Sequence, residues 1–163
     1  SFPRRLSYLI THRWYYRSKL WEFLFRAWGT IPVKERDPRG TIEQLCERLS
    51  RGDVIGMFPE GKISYDGRIQ KLQTGVARVA AASGAPVLPV GIRGAYESLP
   101  RSRRFPRPSR VRVVVGEPVL FPGAPLERPG REAIEAFNAE LMRQLTELSG
   151  KPAQVPAGAP EPA

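Results

Sequence analysis

The sequence predicts an α/β fold: a single domain with a mixed, largely parallel sheet flanked by helices. Short apolar segments of strand length alternate along the chain with amphipathic segments of helix length. The chain has 163 residues, of which 41% are hydrophobic and 26% charged, and this composition is sufficient for one packed core. It contains no run of about 18 consecutive apolar residues, so no membrane-spanning helix is expected.

The first half of the chain predicts three strands and two helices. Residues 6–10 and 31–33 are predicted as short strands, separated by a helix over residues 18–28. Thr41-Ile-Glu-Gln44 has the spacing of a capping box, so a helix is predicted to begin there and to continue to Ser50. The apolar run at residues 54–57 then predicts a third strand.

The helix predicted over residues 18–28 is unusually apolar. Lys19, Glu22 and Arg26 share a narrow polar side, whereas seven apolar residues form the rest: Leu20, Trp21, Phe23, Leu24, Phe25, Ala27 and Trp28. Such a helix is either well buried or lies partly in a membrane interface. Because the segment is short, burial is the expectation.

The second half of the chain predicts two helices and two strands. A helix over residues 75–83 is predicted to stop at Gly84, and a longer one spans residues 132–148. Residues 87–92 and 111–115 are predicted strands, and Pro89 predicts irregular or terminal pairing because it lacks a backbone donor. Residues 98–110, rich in Pro and Arg, are a predicted surface loop. The folded domain is therefore assigned to residues 1–149, and residues 150–163, dominated by Pro, Ala and Gly, are predicted to be disordered.

The charge of the chain indicates which kinds of molecule it binds. Twenty-six Lys and Arg against 16 Asp and Glu give a net charge of +10. This excess favours an anionic partner, namely a phospholipid surface, a phosphorylated substrate or nucleic acid, although a solvated basic surface is an equal alternative.

Cys46, the single cysteine, falls on the apolar stripe of a predicted helix and is expected to be a packing thiol rather than a nucleophile.

The most informative motif follows the strand predicted at residues 54–57. It reads Phe58-Pro-Glu-Gly-Lys-Ile-Ser64, with the carboxylate of Glu60 between a rigid proline and a glycine. A buried strand that ends in this way delivers a charged group and exposed backbone N–H groups to the rim of a sheet. Alone, the motif fits a simple tight turn equally well.

These residues resemble the third signature block of the lysophospholipid and glycerol-phosphate acyltransferases, which is Phe-Pro-Glu-Gly followed by a small or basic residue and Ser. The similarity extends from about residue 6 to residue 118, and its densest part includes Asp66-Gly-Arg68, Gly75-Val-Ala-Arg78 and Ala85-Pro-Val-Leu-Pro-Val90. The resemblance implies the glycerol-phosphate acyltransferase-like fold. It also implies transfer of a fatty acyl group from acyl-CoA or acyl-carrier protein to a lysophospholipid such as 1-acylglycerol-3-phosphate. Such an enzyme of phospholipid biosynthesis is expected at the cytoplasmic face of a membrane, in contact with anionic lipid, without a cofactor or metal.

The resemblance also implies a binding site for the phosphate of the acceptor. Lys34, Arg36 and Lys62 are expected to hold the phosphate, Glu60 to orient them or to bind the acceptor glycerol, and Gly61 to let substrate approach the backbone. Ser64 either caps the next segment or binds a phosphate oxygen. The sequence departs from the family pattern at two positions, so the identity of the acceptor stays open. Glu35 stands where the family's second block has Arg, and Ile63 stands where its third block often has Arg.

Family members take the proton of the acceptor hydroxyl with the histidine of a His-x4-Asp block. The sequence has one histidine, His12, and Arg17 occupies the position of the aspartate, so His12 is not expected to be the base. No catalytic residue is therefore assigned within the chain; the pair is expected upstream of Ser1, and the 163 residues alone are expected to be nearly inactive. One alternative is a non-catalytic phospholipid-binding relative of the same fold. A nucleic-acid binder, suggested by Arg101-Ser-Arg-Arg104, Arg107 and Arg110, is not expected because no aromatic stacking platform accompanies these arginines.

Overall fold

The structure is a computed structural model that describes residues 6–11, 18–33, 37–62, 64, 66–100 and 105–152. Its backbone divides into two compact units. Unit 1 comprises Ser1–Phe58, Gly75–Ala85 and Phe121–Pro129, and unit 2 comprises Pro59–Thr74, Pro86–Leu120 and Gly130–Ala163. The assignment of residues 1–149 to one domain stays a prediction.

Unit 1 contains a parallel sheet of three strands. These are β1 (Leu6–Thr11), β2 (Ile31–Val33) and β3 (Val54–Gly56), in the order β2-β1-β3. Leu9 pairs with Ile31 and Leu6 pairs with Val54, both in parallel register. The three strands predicted in the first half of the chain are thus confirmed.

The described residues of unit 1 also form the helices α1 (Lys19–Ala27), α2 (Pro38–Ser50) and α3 (Gly75–Ser83). Its core joins one residue from each of β2, α2 and α3, namely Ile31, Leu45 and Val79. Partly buried apolar side chains from β1, α2, β3 and the residue that follows β3 pack around them: Leu9, Ile42, Leu49, Ile55 and Met57. The apolar faces of the helices and of the sheet therefore stabilise one another.

The predicted start of α2 at a Thr41 capping box was wrong. The helix begins three residues earlier, at Pro38, and its N-cap is Asp37. The backbone N–H of Gly40 donates to Asp37 Oδ1 (2.9 Å), and Thr41 Oγ1 donates to the carbonyl of Asp37 (3.0 Å). Pro38 suits the first helical position because its φ is already helical and its missing N–H is not needed there.

The burial expected for the helix predicted over residues 18–28 was also wrong for two of its aromatic residues. The helix forms as predicted, but Phe23 is 69% exposed, and Trp28, just beyond its end, is 64% exposed. Leu24 and Phe25 are half-buried, and the Phe25 and Trp28 rings meet edge to face with centroids 6.4 Å apart. An apolar stripe identifies which side chains share a face, but not whether protein or lipid covers that face.

Unit 2 contains an antiparallel strand pair and two helices. The strands are β4 (Val90–Arg93) and β5 (Arg112–Val115), and the helices are α4 (Ala95–Ser98) and α5 (Arg131–Ser149). The pairing is irregular at Pro89 as predicted. Val87 forms an isolated bridge with Val119, and the Pro89 carbonyl accepts from the N–H of Gly116 (2.9 Å) before the regular ladder begins at Val90. Within the described residues the parallel and antiparallel pairs thus lie in two separate sheets, and the predicted α/β class is confirmed.

Helix α5 buries the face that its periodicity predicts. Ile134, Phe137 and Leu141 are buried. The helix ends at Ser149, and Gly150, whose φ is +65°, is its C-cap. Of the predicted disordered tail, residues 153–163 lie outside the described residues. Within the predicted surface loop, residues 105–110 are exposed, and residues 101–104 lie outside the described part.

Candidate functional site

The segment 59–74, which carries the Phe-Pro-Glu-Gly motif, is closed by two hydrogen bonds across its base. The backbone N–H of Gln70 donates to Glu60 Oε2 (2.8 Å), and the backbone N–H of Gln73 donates to the Pro59 carbonyl (2.8 Å). Glu60 is half-buried and Gln70 is buried. The carboxylate therefore stabilises the conformation of the loop, since it satisfies a backbone donor that is shielded from water.

A second turn lies inside this loop. Ser64 Oγ donates to the Arg68 carbonyl (2.9 Å), and the backbone N–H of Arg68 donates to Asp66 Oδ1 (3.0 Å). Gly67 between them has φ +77°, a conformation that glycine adopts at little steric cost. The hydroxyl of Ser64 thus helps to close this turn, whereas its predicted capping of the next segment stays a prediction. A bond from Ser64 to a phosphate oxygen stays a prediction.

The tip of the loop is open to solvent at Gly61 and Lys62. Gly61 has φ +67°, and a Cβ atom placed there would lie 3.1 Å from Gln73 Cγ. A side chain at this position would therefore be strained and crowded, whereas glycine leaves the backbone accessible.

Four of the six predicted acceptor-binding residues lie in this one loop: Glu60, Gly61, Lys62 and Ser64. The other two, Lys34 and Arg36, lie outside the described residues, so their distance from Glu60 is not defined. The grouping of all six around one phosphate stays a prediction.

Residues distant along the chain also anchor the loop, and the sequence did not predict these contacts. The backbone N–H of Ile69 donates to the Pro152 carbonyl (3.3 Å). Lys151 Nζ lies 5.1 Å from the centre of the Tyr96 ring, and a Cβ atom on Gly67 would lie 3.0 Å from that ring. No local pattern marks these contacts, because the partners are more than 25 residues apart in sequence.

Two groups outside this loop, Cys46 and Glu140, have pKa values shifted by their surroundings. Burial, with a smaller contribution from Glu43, raises the pKa of the Cys46 thiol, which opposes thiolate formation. Hydrogen bonds from Arg143 and Gln144 lower the pKa of the Glu140 carboxyl to about 2. No group of three His, Cys, Asp or Glu in the described residues is arranged to hold a metal ion.

Comparison with known proteins identifies a family for this chain. The family model Acyltransferase matches residues 1–93, which include β1, β2, β3 and the Phe-Pro-Glu-Gly loop. The chain is 34% identical over 95 residues to the chloroplastic 1-acyl-sn-glycerol-3-phosphate acyltransferase LPAT1 of Arabidopsis thaliana, an alignment covering 56% of this chain and 27% of the relative. The corresponding chloroplastic enzyme BAT2 of Brassica napus is 33% identical over 95 residues, covering 56% and 28%. The chain thus spans little more than a quarter of these two relatives.

Two bacterial proteins match over more of the chain. A 1-acyl-sn-glycerol-3-phosphate acyltransferase of Bacillus subtilis is 23% identical over 151 residues, covering 91% of this chain and 71% of the relative. The crystal structure of the 1-acyl-sn-glycerophosphate acyltransferase PlsC from Thermotoga maritima superposes with a TM-score of 0.64 at 23% identity, covering 91% of this chain and 58% of that one. The superposition establishes that the two chains share the α/β fold. In the part of the chain that the structure describes, no helix has the length and apolar character needed to cross a membrane. Because the family match extends over more than half of the sequence, the chain belongs to the Acyltransferase family.

Proposed function

We propose that this chain is the acceptor-binding part of an enzyme that acylates lysophospholipids, with 1-acylglycerol-3-phosphate as the acceptor. The observation that carries the proposal is the family match across residues 1–93, which includes the hydrogen-bonded loop around Glu60. The names of the plant and bacterial relatives support the choice of acceptor. The donor is a fatty acyl thioester of coenzyme A or of acyl-carrier protein.

The reaction is a direct acyl transfer. The free hydroxyl of the acceptor attacks the thioester carbonyl, a C–O bond forms, the C–S bond breaks, and the thiol leaves. A base must remove the hydroxyl proton during the attack, because an alcohol is a poor nucleophile at neutral pH. The proton then passes to the departing thiolate, so the step needs no other reactant.

The acceptor phosphate is proposed to bind at the tip of the loop. Lys62 is exposed there, next to a glycine backbone that leaves room for close approach. Lys34 and Arg36 are proposed to complete the site, with the planar guanidinium of Arg36 meeting two phosphate oxygens at once. Glu60 contributes by holding the loop closed through Gln70, and in this way it positions Lys62.

The base is proposed to come from a His-x4-Asp block that the 163 residues do not contain. His12, their single histidine, is followed at the aspartate position by Arg17. Loss of a general base lowers the rate by about 10²- to 10⁴-fold, so the chain alone should bind acceptor yet transfer acyl groups very slowly. A non-catalytic phospholipid-binding relative is the second candidate, since it too would bind without transfer.

Contact with an anionic membrane at its cytoplasmic face is part of the proposal. The exposed rings of Phe23 and Trp28 on and beside α1 support it, because aromatic side chains favour the boundary between headgroups and acyl chains. Residues 13–17, Arg-Trp-Tyr-Tyr-Arg, precede this helix and add basic and aromatic side chains.

Acceptor binding tests the proposed site directly. Binding of 1-acylglycerol-3-phosphate should weaken roughly tenfold in Lys62→Ala and in Arg36→Ala, because each loses a charge-assisted contact with phosphate. Arg128→Ala is the matched control: it removes one positive charge from an exposed site in another segment and should bind as the parent chain does. Unchanged binding in both test variants would contradict the proposed phosphate site.

Thiol release from acyl-CoA tests the assignment of the base. The 163-residue chain should release thiol at a rate close to the uncatalysed one, and His12→Ala should not change that rate. Rapid transfer that disappears in His12→Ala would show that the base lies within the chain and would contradict the proposal.

A further inference from the structure

Asn138 is a polar exception on the buried face of helix α5. That face is formed by Ile134, Phe137 and Leu141, all of which are buried. Asn138 lies four residues after Ile134 and three before Leu141, so the helical period places it on the same face, where an apolar residue is expected. An amide at such a position needs a polar partner to offset the cost of its burial.

The partner of the Asn138 amide lies in the segment that carries the Phe-Pro-Glu-Gly motif. Nδ2 of Asn138 donates to the Gln73 carbonyl (3.4 Å). Its Oδ1 is shielded from water and has no hydrogen-bond partner within the described residues. This orientation of the amide is the favourable one, because rotation by half a turn would place Oδ1 against the carbonyl oxygen of Gln73.

The unpartnered Oδ1 indicates that the stability of α5 does not explain this side chain. A shielded acceptor without a donor is unfavourable. Leucine has nearly the same size and shape as asparagine, and at this position it would avoid that cost and extend the apolar face of the helix. The group that asparagine serves and leucine would not is the Gln73 carbonyl.

Gln73 connects Asn138 to the tip of the loop. The backbone N–H of Gln73 donates to the Pro59 carbonyl (2.8 Å) and closes the base of the segment. The Gln73 side chain lies beside Gly61, since a Cβ atom placed on Gly61 would be 3.1 Å from Gln73 Cγ. Displacement of Gln73 would therefore move Gly61 and the exposed Lys62 that follows it.

Helix α5 is a firm support for this contact. Near its C-terminal end, the Leu148 carbonyl accepts from Arg93 Nε (2.7 Å), which ties the helix to β4. Just beyond the helix, the Pro152 carbonyl accepts from the N–H of Ile69 (3.3 Å). The helix and the residues after it thus hold segment 59–74 at two points, and all of these residues belong to unit 2.

We infer that Asn138 is a positioning residue for the acceptor-phosphate site. It holds the Gln73 carbonyl against α5, and Gln73 in turn determines where the loop presents Gly61 and Lys62. The inference rests on the proposed function and deepens it, because it adds to the site a residue outside the family-matched residues 1–93.

Acceptor binding by two variants of the full 163-residue chain tests the inference. Asn138→Leu should bind 1-acylglycerol-3-phosphate roughly fivefold more weakly, since the hydrogen bond to Gln73 is lost. Its Tm should not fall, because the unpartnered acceptor is lost with it. Asn138→Asp keeps the size of the side chain but sets an oxygen against the Gln73 carbonyl, so it should weaken binding at least as much.

Gln144→Met is the matched control for these variants. It removes another half-buried amide from the same helix, but the Gln144 amide donates to Glu140 Oε1 within α5 (2.9 Å). Gln144→Met should therefore bind the acceptor as the parent chain does.

Amide hydrogen exchange tests the positioning role without any acceptor. The N–H of Gln73 should exchange roughly fivefold faster in Asn138→Leu, because its closure onto Pro59 is less well held. The N–H of Val119 donates to the Val87 carbonyl (2.8 Å) in the same unit and should exchange at the parent rate. If the leucine variant does not fold, Asn138→Asp carries both measurements.

A double-mutant cycle with Lys62 provides a readout that a purely structural role would not change. In a Lys62→Ala background, Asn138→Leu should weaken acceptor binding less than it does in the parent chain, because the contact that it positions is already absent.

Two results would overturn the inference. The first is a folded Asn138→Leu with parent-like acceptor binding and parent-like exchange at Gln73, which would leave the proposed function intact. The second is weaker binding together with a lower Tm and faster exchange at Val119 in both variants, which would show that Asn138 only stabilises the fold. Failure of the parent chain to bind the acceptor would instead contradict the proposed function, and exchange at Gln73 would still decide whether Asn138 positions the loop.

Discussion

Glu60 shows how one side chain can determine the shape of a binding loop. Its Oε2 accepts the backbone N–H of Gln70, ten residues along the chain, at 2.8 Å. Glu60→Ala should lower the free energy of unfolding by about 1–3 kcal/mol, because it removes the acceptor of a shielded backbone N–H. Glu60→Gln keeps an acceptor oxygen in the same place and should cost less. Urea unfolding monitored by tryptophan fluorescence measures both.

Glu117→Ala is the matched control for Glu60, because it removes an exposed glutamate from the same unit. It should change the free energy of unfolding by less than about 0.5 kcal/mol. Equal losses in Glu60→Ala and Glu117→Ala would contradict the role of Glu60 in closing the loop.

Cys46 is predicted to be an unreactive thiol. Burial raises its pKa, so at pH 8 a smaller fraction is thiolate than in an unfolded chain, and thiolate is the reactive form. The rate of reaction with an aromatic disulfide reagent should therefore be lower in the folded chain than in urea, and it should rise as the pH is raised. A rate at pH 8 equal to that of the denatured chain would contradict this prediction.

For single residues, the sequence predicted which residue types lie together in the loop, but not which hydrogen bonds close it. The motif placed Glu60, Gly61, Lys62 and Ser64 together because they are adjacent along the chain. The bond from Gln70 to Glu60 depends on the path of the intervening backbone, and a pattern of residue types does not encode that path. The anchoring by Pro152 was missed for the same reason.

Among the elements, the N-terminus of α2 offers a direct test of a corrected prediction. The N–H of Gly40 donates to Asp37 Oδ1, so Asp37→Ala should destabilise the protein by about 1 kcal/mol. Thr41→Ala removes only an exposed hydroxyl that donates to the Asp37 carbonyl, so it should cost less than about 0.5 kcal/mol.

Asp37→Ser is the control at the same position, because serine retains a capping oxygen, and it should leave stability nearly unchanged. Thermal unfolding of the three variants ranks them. A larger loss in Thr41→Ala than in Asp37→Ala would restore the capping box as the start of the helix.

The sequence predicted which segments form helices and strands, but it predicted their first and last residues and their burial less well. Within the described residues, alternation and 3.6-residue periodicity identified the five strands and the four longer helices, since these patterns report directly which side chains share a face. The start of α2 was wrong because a local match to one capping pattern competed with Asp37-Pro38. The exposure of Phe23 was wrong because a hydrophobic stripe carries no information about its occupant.

For the whole molecule, the net charge of +10 predicts that binding to anionic vesicles depends on salt. The range of charge interactions falls from about 10 Å at 0.1 M ionic strength to about 3 Å at 1 M. Flotation with phosphatidylglycerol-containing vesicles should therefore decline steadily over this range. Binding that is unchanged at high salt would show that apolar contact alone holds the protein to lipid.

The carbonyl of Pro152 has a practical consequence for shortened versions of the protein. It accepts the N–H of Ile69, while the neighbouring Lys151 ammonium lies over the Tyr96 ring. Removal of the residues after α5 would eliminate both contacts, and segment 59–74 would lose its hydrogen bond to Pro152. Expression plasmids intended for crystallisation or for affinity tags should therefore keep Lys151 and Pro152 and place any cleavage site beyond them.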